Sequence, residues 1–349
     1  MNVFIPALKD ENPFFDEIML HSKHTYIFDI YKNYKPTYKV VLIHWPEQIF
    51  DWKEPSNDEL IELENAIDIW KQKSKILYVV HNIERHSGMT ENFRKLYQII
   101  VDNCNTMIHM GNYSSNLFKD KYPSKKHQII NHPLYQNSFT IFSKDEARKK
   151  LNISKDAVVI IAPGAIRNKE ESKLVLNAFR GLKTKNKVLI VPRMLPFEFP
   201  FEFKGRTFLK RIIDIKKYYL SFKDWQYKKP TYYFNYNFLE QDDLALLMSA
   251  SDIVFIPRIK ILNSGNVFLA MTYKKIMLGP NQGNLTEIFK LFKLPYFNPK
   301  EKSSISKAMS DAFLLFNENK FKYDAILLNK YSPAVLANEW DNLINESDS

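Results

Sequence analysis

The sequence encodes two α/β domains, each built on a parallel sheet with helices on both faces. A chain of 349 residues exceeds what one hydrophobic core organises and points to two domains of about 150 residues each. Short, continuous, β-branched apolar runs alternate with polar, helix-compatible stretches, as strands buried on both faces of a parallel sheet require. That rhythm stops once and restarts, and a charged stretch from Asn137 to Asp156 lies between the two series.

In the first series, Tyr38–His44 (YKVVLIH), Ile76–Val80 (ILYVV) and Thr106–His109 read as buried strands. Ser143, Lys144 and Asp145 then open a charged helix that leads into the second series. There the strands are Ala157–Ala162 (AVVIIA), Lys187–Val191 (KVLIV), Thr231–Phe234, Ile253–Ile256 (IVFI) and Ile276–Leu278. The expected domains are 1–150 and 151–330. Each is a doubly wound sheet, and such sheets bind ligands just beyond the carboxyl ends of their strands.

Composition narrows the function classes. Hydrophobic residues at 45% and charged residues at 26% describe a globular chain. The single cysteine, Cys104, excludes an intrachain disulfide framework and fits a reducing compartment. The longest apolar stretch, Ala157–Ile166, is half the roughly 20 residues of a membrane-spanning helix. The N-terminus meets Lys9, Asp10 and Glu11 before any long apolar run, unlike a secretory signal.

The net charge of +11 invites an anionic partner. Most of the excess falls between Phe203 and Leu239, where nine basic residues face two acids among twelve aromatics. Within that window Phe208, Ile212, Ile215 and Tyr219 share one helical face, with Lys210, Arg211 and Lys217 beside or opposite it. Such a segment packs as an ordinary amphipathic helix, lies on an anionic bilayer, or tracks a single-stranded nucleic acid.

Three turns carry the chemistry. After ILYVV come His81, Asn82, Glu84, Arg85 and His86, dense polar chemistry at a strand end; His81 serves proton transfer, sugar contact, or simply backbone satisfaction. Trp45 and Glu47 follow the preceding strand and are placed to line the same cleft. After AVVIIAPG come Arg167 and Lys169 ahead of a helix, where positive charge and helix amides suit a diphosphate. After IVFIPRIKIL come Asn263, Ser264, Gly265 and Asn266, a helix start that lets a phosphate approach the backbone or is a plain cap. The loop Gly279–Glu287 follows the next strand. No third ligand accompanies His81 and His86, so no metal site is expected.

Taken in order, these residues resemble the GT-B nucleotide-sugar glycosyltransferases, the family 4-like group in particular. In the C-terminal half the resemblance rests on GAIRNK, on Ala250, Asp252 and Pro257, on NSGNVFLAM, and on GPNQGNLTE. In the N-terminal half it rests on NPFFDEI, HWPE, HNIERHSG and NHPLY (Asn131–Tyr135). YSPAVLANEWDNLI, within 331–349, resembles the helix that crosses back to the first domain of this fold.

The resemblance implies a two-domain GT-B architecture with a cleft between the domains, acceptor side first and donor side second. By it, Arg167 and Lys169 hold the donor diphosphate and the Ser264–Gly265 amides bind its phosphates. His81 faces the transferred sugar, and Glu287 contacts sugar or nucleotide. The implied activity is metal-independent transfer of a sugar, without a cofactor, from a nucleoside diphosphate sugar to a glycan or lipid-linked acceptor. It implies surface polysaccharide synthesis in the cytoplasm or at the inner face of the membrane, and retention of configuration.

The sequence departs from the family pattern in three places. The paired glutamates seven residues apart near the third turn are missing, PALKDENPF replaces a Gly-rich loop, and Arg167 and Lys169 are unusually close. Inversion by His86, Glu84 or Glu47 therefore stays open. So does a GT-B-like protein that binds a sugar nucleotide or polysaccharide without turnover. Nucleic-acid binding through 203–239 is not expected, since it leaves the other turns without a role.

Overall fold

In the computed structural model we describe residues 1–85, 88–198 and 209–346; for 209–215 the description is of the backbone. The first sheet comprises β1 (Asn2–Ile5), β2 (Thr25–Phe28), β3 (Val40–Ile43), β4 (Lys75–Val79), β5 (Thr106–His109) and β6 (Lys126–Ile129). Its order is β2-β1-β3-β4-β5-β6, every neighbouring pair parallel. The second comprises β7 (Val158–Ile161), β8 (Lys187–Val191), β9 (Tyr232–Phe234), β10 (Ile253–Phe255), β11 (Ile276–Pro280) and β12 (Tyr296–Phe297). Its order, β12-β11-β10-β7-β8-β9, is again parallel throughout.

Chain order reverses between β1 and β3 in the first sheet and between β7 and β10 in the second. At such a reversal the loops leave in opposite directions and open a crevice beyond the strand ends. These two crevices face each other and position the site.

The apolar runs became strands because both faces are covered. Val40–Ile43, Thr106–His109 and Val158–Ile161 are buried at every position. On one face of the first sheet lie the helices Asn57–Lys71 and Glu91–Asn103, which bury Trp70, Phe93 and Ile100. Their starts are set locally: Ser56 and Glu59 form a reciprocal capping box, and Thr90 accepts from the Phe93 amide. The opposite face is covered by the helices Phe14–Met19 and Pro333–Asn345, so Leu336, Trp340 and Ile344 pack among Val3, Ile5 and Leu42. The end of the chain thus completes the core of its beginning.

The chain passes from one sheet to the other between Ile130 and Ser143, ahead of position 150. Leu134 and Tyr135 already belong to the second core. The helix Lys144–Leu151 also packs on the second domain, where buried Arg148 donates to Asp252 (2.7 Å) and to the Ala250 carbonyl (3.1 Å). Asp252, one of the residues that carry the resemblance, accepts from the Val159 amide as well (2.8 Å) and braces the fold. Glu17, buried in the first helix, accepts the amides of Asn137 and Ser138 and fixes the crossing. Burial pushes the Cys104 thiol up to about 11, which leaves it unreactive at neutral pH.

Of the basic, aromatic 203–239 segment, residues 203–208 lie outside the described residues. The helix Leu209–Gln226 follows, with Tyr218, Phe222 and Trp225 exposed along one stripe (76%, 53% and 63%) and Lys216 and Lys217 exposed beside it. Among the described residues no helix is long and apolar enough to cross a membrane.

Candidate active site

The two crevices enclose a cleft with an inner and an outer lobe, about 390 and 1040 Å³, that share Asn82, Arg167 and Ile261 in their walls. The first domain's wall of the inner lobe is a nest of rings. His81, at the end of β4, stacks on Trp45 (centroids 4.2 Å apart, planes 9° from parallel) and meets His44 edge-on at 4.1 Å. Phe14 abuts His44, His81 and His132, and His132 stacks on Phe268 of the second domain at 4.3 Å.

Burial in this nest pushes His44 down to about 3 and His132 to about 4, and pushes His81 well below its ordinary value. All three imidazoles are neutral at pH 7. His81 Nε2 and Asn82 Nδ2 are buried and make no hydrogen bond within the protein. A buried polar atom without a partner is costly, and these two belong to residues that line the lobe.

The second domain supplies the opposite wall. The helix Gly265–Thr272 starts at the lobe, and Ser264, its N-cap, makes no capping bond with its side chain. Tyr135 lies against this start: a Cβ on Gly265 would come within 2.7 Å of its hydroxyl. That hydroxyl also pairs with His132 Nε2 at 3.2 Å. Asn266 donates to the Pro163 carbonyl (2.9 Å) and seats the β7 turn, where Gly164 has φ +80° and a Cβ would meet Asn266 Nδ2 at 2.6 Å. Asn263 donates across the cleft to the His81 carbonyl (2.8 Å).

Two arginines reach the lobe. Arg167 lines both lobes, and its amide donates to Glu171 (2.8 Å). Arg258, three residues beyond β10, is buried and lines the inner lobe. Its Nη1 donates to Glu171 (2.6 Å) and to the Ala165 carbonyl (3.0 Å). Burial, and Arg167 close by, push Arg258 down to about 10, still charged at neutral pH. Among the described residues no carboxylate lines the inner lobe.

The remaining predicted site residues fall elsewhere. Lys169 lines neither lobe; it is exposed and pairs with Glu198 at 2.8 Å. It is the first residue of the helix Lys169–Gly181, where the dipole disfavours a cation, and its ammonium finds an acid outside. Glu47 is buried in the short 3-10 helix Pro46–Phe50 after β3, accepts from Tyr97 (2.8 Å) and lines neither lobe. Desolvation raises its carboxyl above the usual range. Glu84 and Arg85 line the outer lobe, and the Arg85 guanidinium lies 4.1 Å over the Phe93 ring. His86 lies outside the described residues.

Glu287 lines the outer lobe, but its carboxylate is engaged. It accepts from the Asn112 and Tyr113 amides (3.0 and 2.5 Å) at the start of the first-domain helix Asn112–Lys121. Asn284 accepts from the next amide, Ser114, at 3.0 Å. Gly111 caps this helix without a side chain, so the second domain provides the cap.

No strand-end pattern in the sequence marks Arg258, His132 or Tyr135 as a site residue. Reading the positions just after each apolar run does reach Arg258, but its place beside Arg167 depends on β7 and β10 being neighbours. Among the described residues no three His, Cys, Asp or Glu side chains are grouped to hold a metal.

No protein-family model and no curated protein sequence matches the chain. Solved structures do. Anabaena HepE in complex with UDP and glucose is similar over 99% of this chain and 100% of its own, at 10% identity and a TM-score of 0.67. Sucrose-phosphate synthase from Thermosynechococcus elongatus is similar over 88% of this chain and 73% of its own, at 11% identity and a TM-score of 0.59. The UDP-forming trehalose-phosphate synthase from Burkholderia vietnamiensis is similar over 90% of this chain and 72% of its own, at 9% identity and a TM-score of 0.58. Two all-parallel sheets, a cleft at their facing switch points and a last helix that returns to the first sheet agree with that likeness: the chain has the fold of the GT-B glycosyltransferases.

Proposed function

We propose that the protein is a glycosyltransferase that moves a sugar from a nucleoside diphosphate sugar to a glycan or lipid-linked acceptor. One observation carries the reading. In the inner lobe, fixed positive charge and a helix start from the second domain face a buried histidine with an unused ring nitrogen from the first. As the glycosidic bond breaks, negative charge gathers on the departing diphosphate. Arg167 and the amides of 264–266 meet that charge without water having to reorganise, and need no divalent ion to do so. Neutral His81 and Asn82 hydrogen-bond the sugar and orient it.

Retention of configuration is the stereochemical reading. It follows the family resemblance, and among the described residues no carboxylate lines the inner lobe to act as a base for inversion. The leaving diphosphate then accepts the acceptor's proton on the face it leaves. Anomeric assignment of the product by NMR decides this; an inverted product overturns it.

Arg167→Ala tests the donor site. Donor turnover is expected to fall by roughly a hundredfold or more with the melting temperature nearly unchanged, and near-wild-type turnover would remove the assignment. A melting-temperature panel of UDP, ADP, GDP, CDP and dTDP identifies the base, since a bound ligand stabilises by mass action.

The acceptor side of the proposal places the enzyme at an anionic membrane surface, in surface polysaccharide synthesis. The support is the exposed Tyr218, Phe222 and Trp225 stripe with Lys216 and Lys217 beside it, since aromatic rings and lysines favour a charged bilayer interface. Replacing Lys216, Lys217 and Trp225 by Gln is expected to weaken cosedimentation with phosphatidylglycerol vesicles and to spare nucleotide binding. Unchanged cosedimentation returns the helix to a purely structural role.

A further inference from the structure

We infer that the donor diphosphate is gripped by a pair of arginines, Arg167 and Arg258, one from the loop after each strand at the switch point of the second sheet, and that Lys169 takes no part. The inference rests on the nucleotide-sugar reading above and adds to it a binding residue that sequence proximity does not reveal. Arg167 and Lys169 are neighbours in sequence, but only Arg167 reaches the lobe. Arg167 and Arg258 are 91 positions apart and converge because β7 and β10 pair directly.

The geometry is that of a preset anion clamp. Nη1 of Arg258 is tied to Glu171 and to the Ala165 carbonyl, which fixes the plane of the guanidinium before any ligand arrives. Its Nη2 lies beside the β7 turn, 3.5 Å from where a Cβ on Gly164 would stand. Asn266 Nδ2 stands 2.6 Å from the same point, so the turn is packed against the guanidinium and Asn266 together.

Glu171 accepts from both the Arg258 side chain and the Arg167 amide, so one buried carboxylate ties the two turns together. Among the described residues no carboxylate lines the inner lobe, where a diphosphate would meet the two arginines. The start of the helix Gly265–Thr272 presents amides to the same lobe. Planar forks that donate two parallel bonds suit phosphate oxygens better than the point charge of a lysine. The buried tether to Glu171 makes Arg258 the more preorganised of the two.

The test uses the full chain and pyrophosphate, together with the nucleoside diphosphate that shifts the melting temperature most in the panel and its parent nucleoside. Calorimetric titration compares wild type with R167A, R258Q, R258K and K169A. R258Q leaves Glu171 buried without its counter-charge, so the charge-balanced E171Q/R258Q is measured beside it.

The expected result is about 100-fold weaker binding of pyrophosphate and the diphosphate in R258Q and the double variant. R258K should lose at least tenfold, and K169A should stay within about twofold. Nucleoside binding should be unchanged throughout, and the salt dependence of diphosphate binding should become shallower. Equal loss of nucleoside and diphosphate would make Arg258 a purely structural residue and overturn the inference. Unchanged diphosphate binding in both R258Q and the double variant would overturn it too. If wild type binds none of the panel, the nucleotide-sugar reading itself fails; if it binds and only Arg258 proves indifferent, the pairing alone does.

Discussion

Four histidines are folded into places where a charged imidazole cannot be hydrated. His44 and His109 are pushed to about 3, His132 to about 4, and His81 also falls well below 6.5, in each case chiefly by burial. Well above pH 6.5 these groups are neutral in both the folded and the unfolded chain, and their titration contributes nothing to stability. Below 6.5 the unfolded chain takes up protons that the folded one refuses, so stability falls with pH, at about 1.4 kcal/mol per pH unit for each such proton. The melting temperature is therefore expected to decline steadily from pH 6.5 to 4, and His132→Gln should make the decline shallower. A flat profile would show that the rings are not held neutral. At the same scale, sequence and structure part company over Lys169 and Glu47. Each sits in a telling stretch of sequence, but a side chain's direction depends on its surroundings. An exposed lysine took Glu198, and a buried glutamate took Tyr97.

Elements are joined across the cleft by their ends. The Gly265–Thr272 helix starts against Tyr135, and Gly265→Ala puts a Cβ 2.7 Å from its hydroxyl. The expected cost is about 1–3 kcal/mol, the range for overpacking. Tyr135→Phe in the same chain should return much of it, as a denaturant-unfolding cycle can measure; equal losses in the single and double variants would exclude the contact. At the other lobe, Glu287 caps the Asn112–Lys121 helix of the first domain. Glu287→Ala is expected to lower stability by about 0.5–2 kcal/mol, and Glu287→Gln by less. A midpoint unchanged in Glu287→Ala would mean that water caps the helix equally well. The family resemblance assigns Glu287 to the sugar or nucleotide, and it carries no sign of this second role within the protein. The amides it serves lie 175 and 174 positions away.

The whole molecule closes on itself through its last helix. Trp340 is fully buried in the first domain's core although it follows the second domain in the chain. Trp340→Ala is expected to cost about 3–5 kcal/mol and to weaken the first domain selectively. Urea unfolding should then split into two transitions, with a nucleotide raising only the later one. A single transition at the wild-type midpoint would mean that the helix contributes little. At this scale much was legible. The strands at Thr106–His109 and Lys187–Val191 end where the apolar runs end. The edge strands β2, β6 and β12 carry no continuous apolar run, because an edge has one open side and TYIF, KHQI and YF have polar or half-exposed positions.

Sequence determines that this chain builds two buried parallel sheets, because only strands covered on both faces are apolar without interruption over four or five residues. It also marks the strand-end turns, where glycine, asparagine and arginine are affordable, as the places for chemistry. Which turns meet is a different matter. That depends on strand order, and strand order is set by how helices pack over the two faces, a balance of contacts between residues far apart in the chain. Arg258 comes beside Arg167, Glu287 comes under a helix of the other domain, and Lys169 turns away from the cleft. Each follows from where the sheets and their neighbours put the side chains, and no local pattern of residues carries that information.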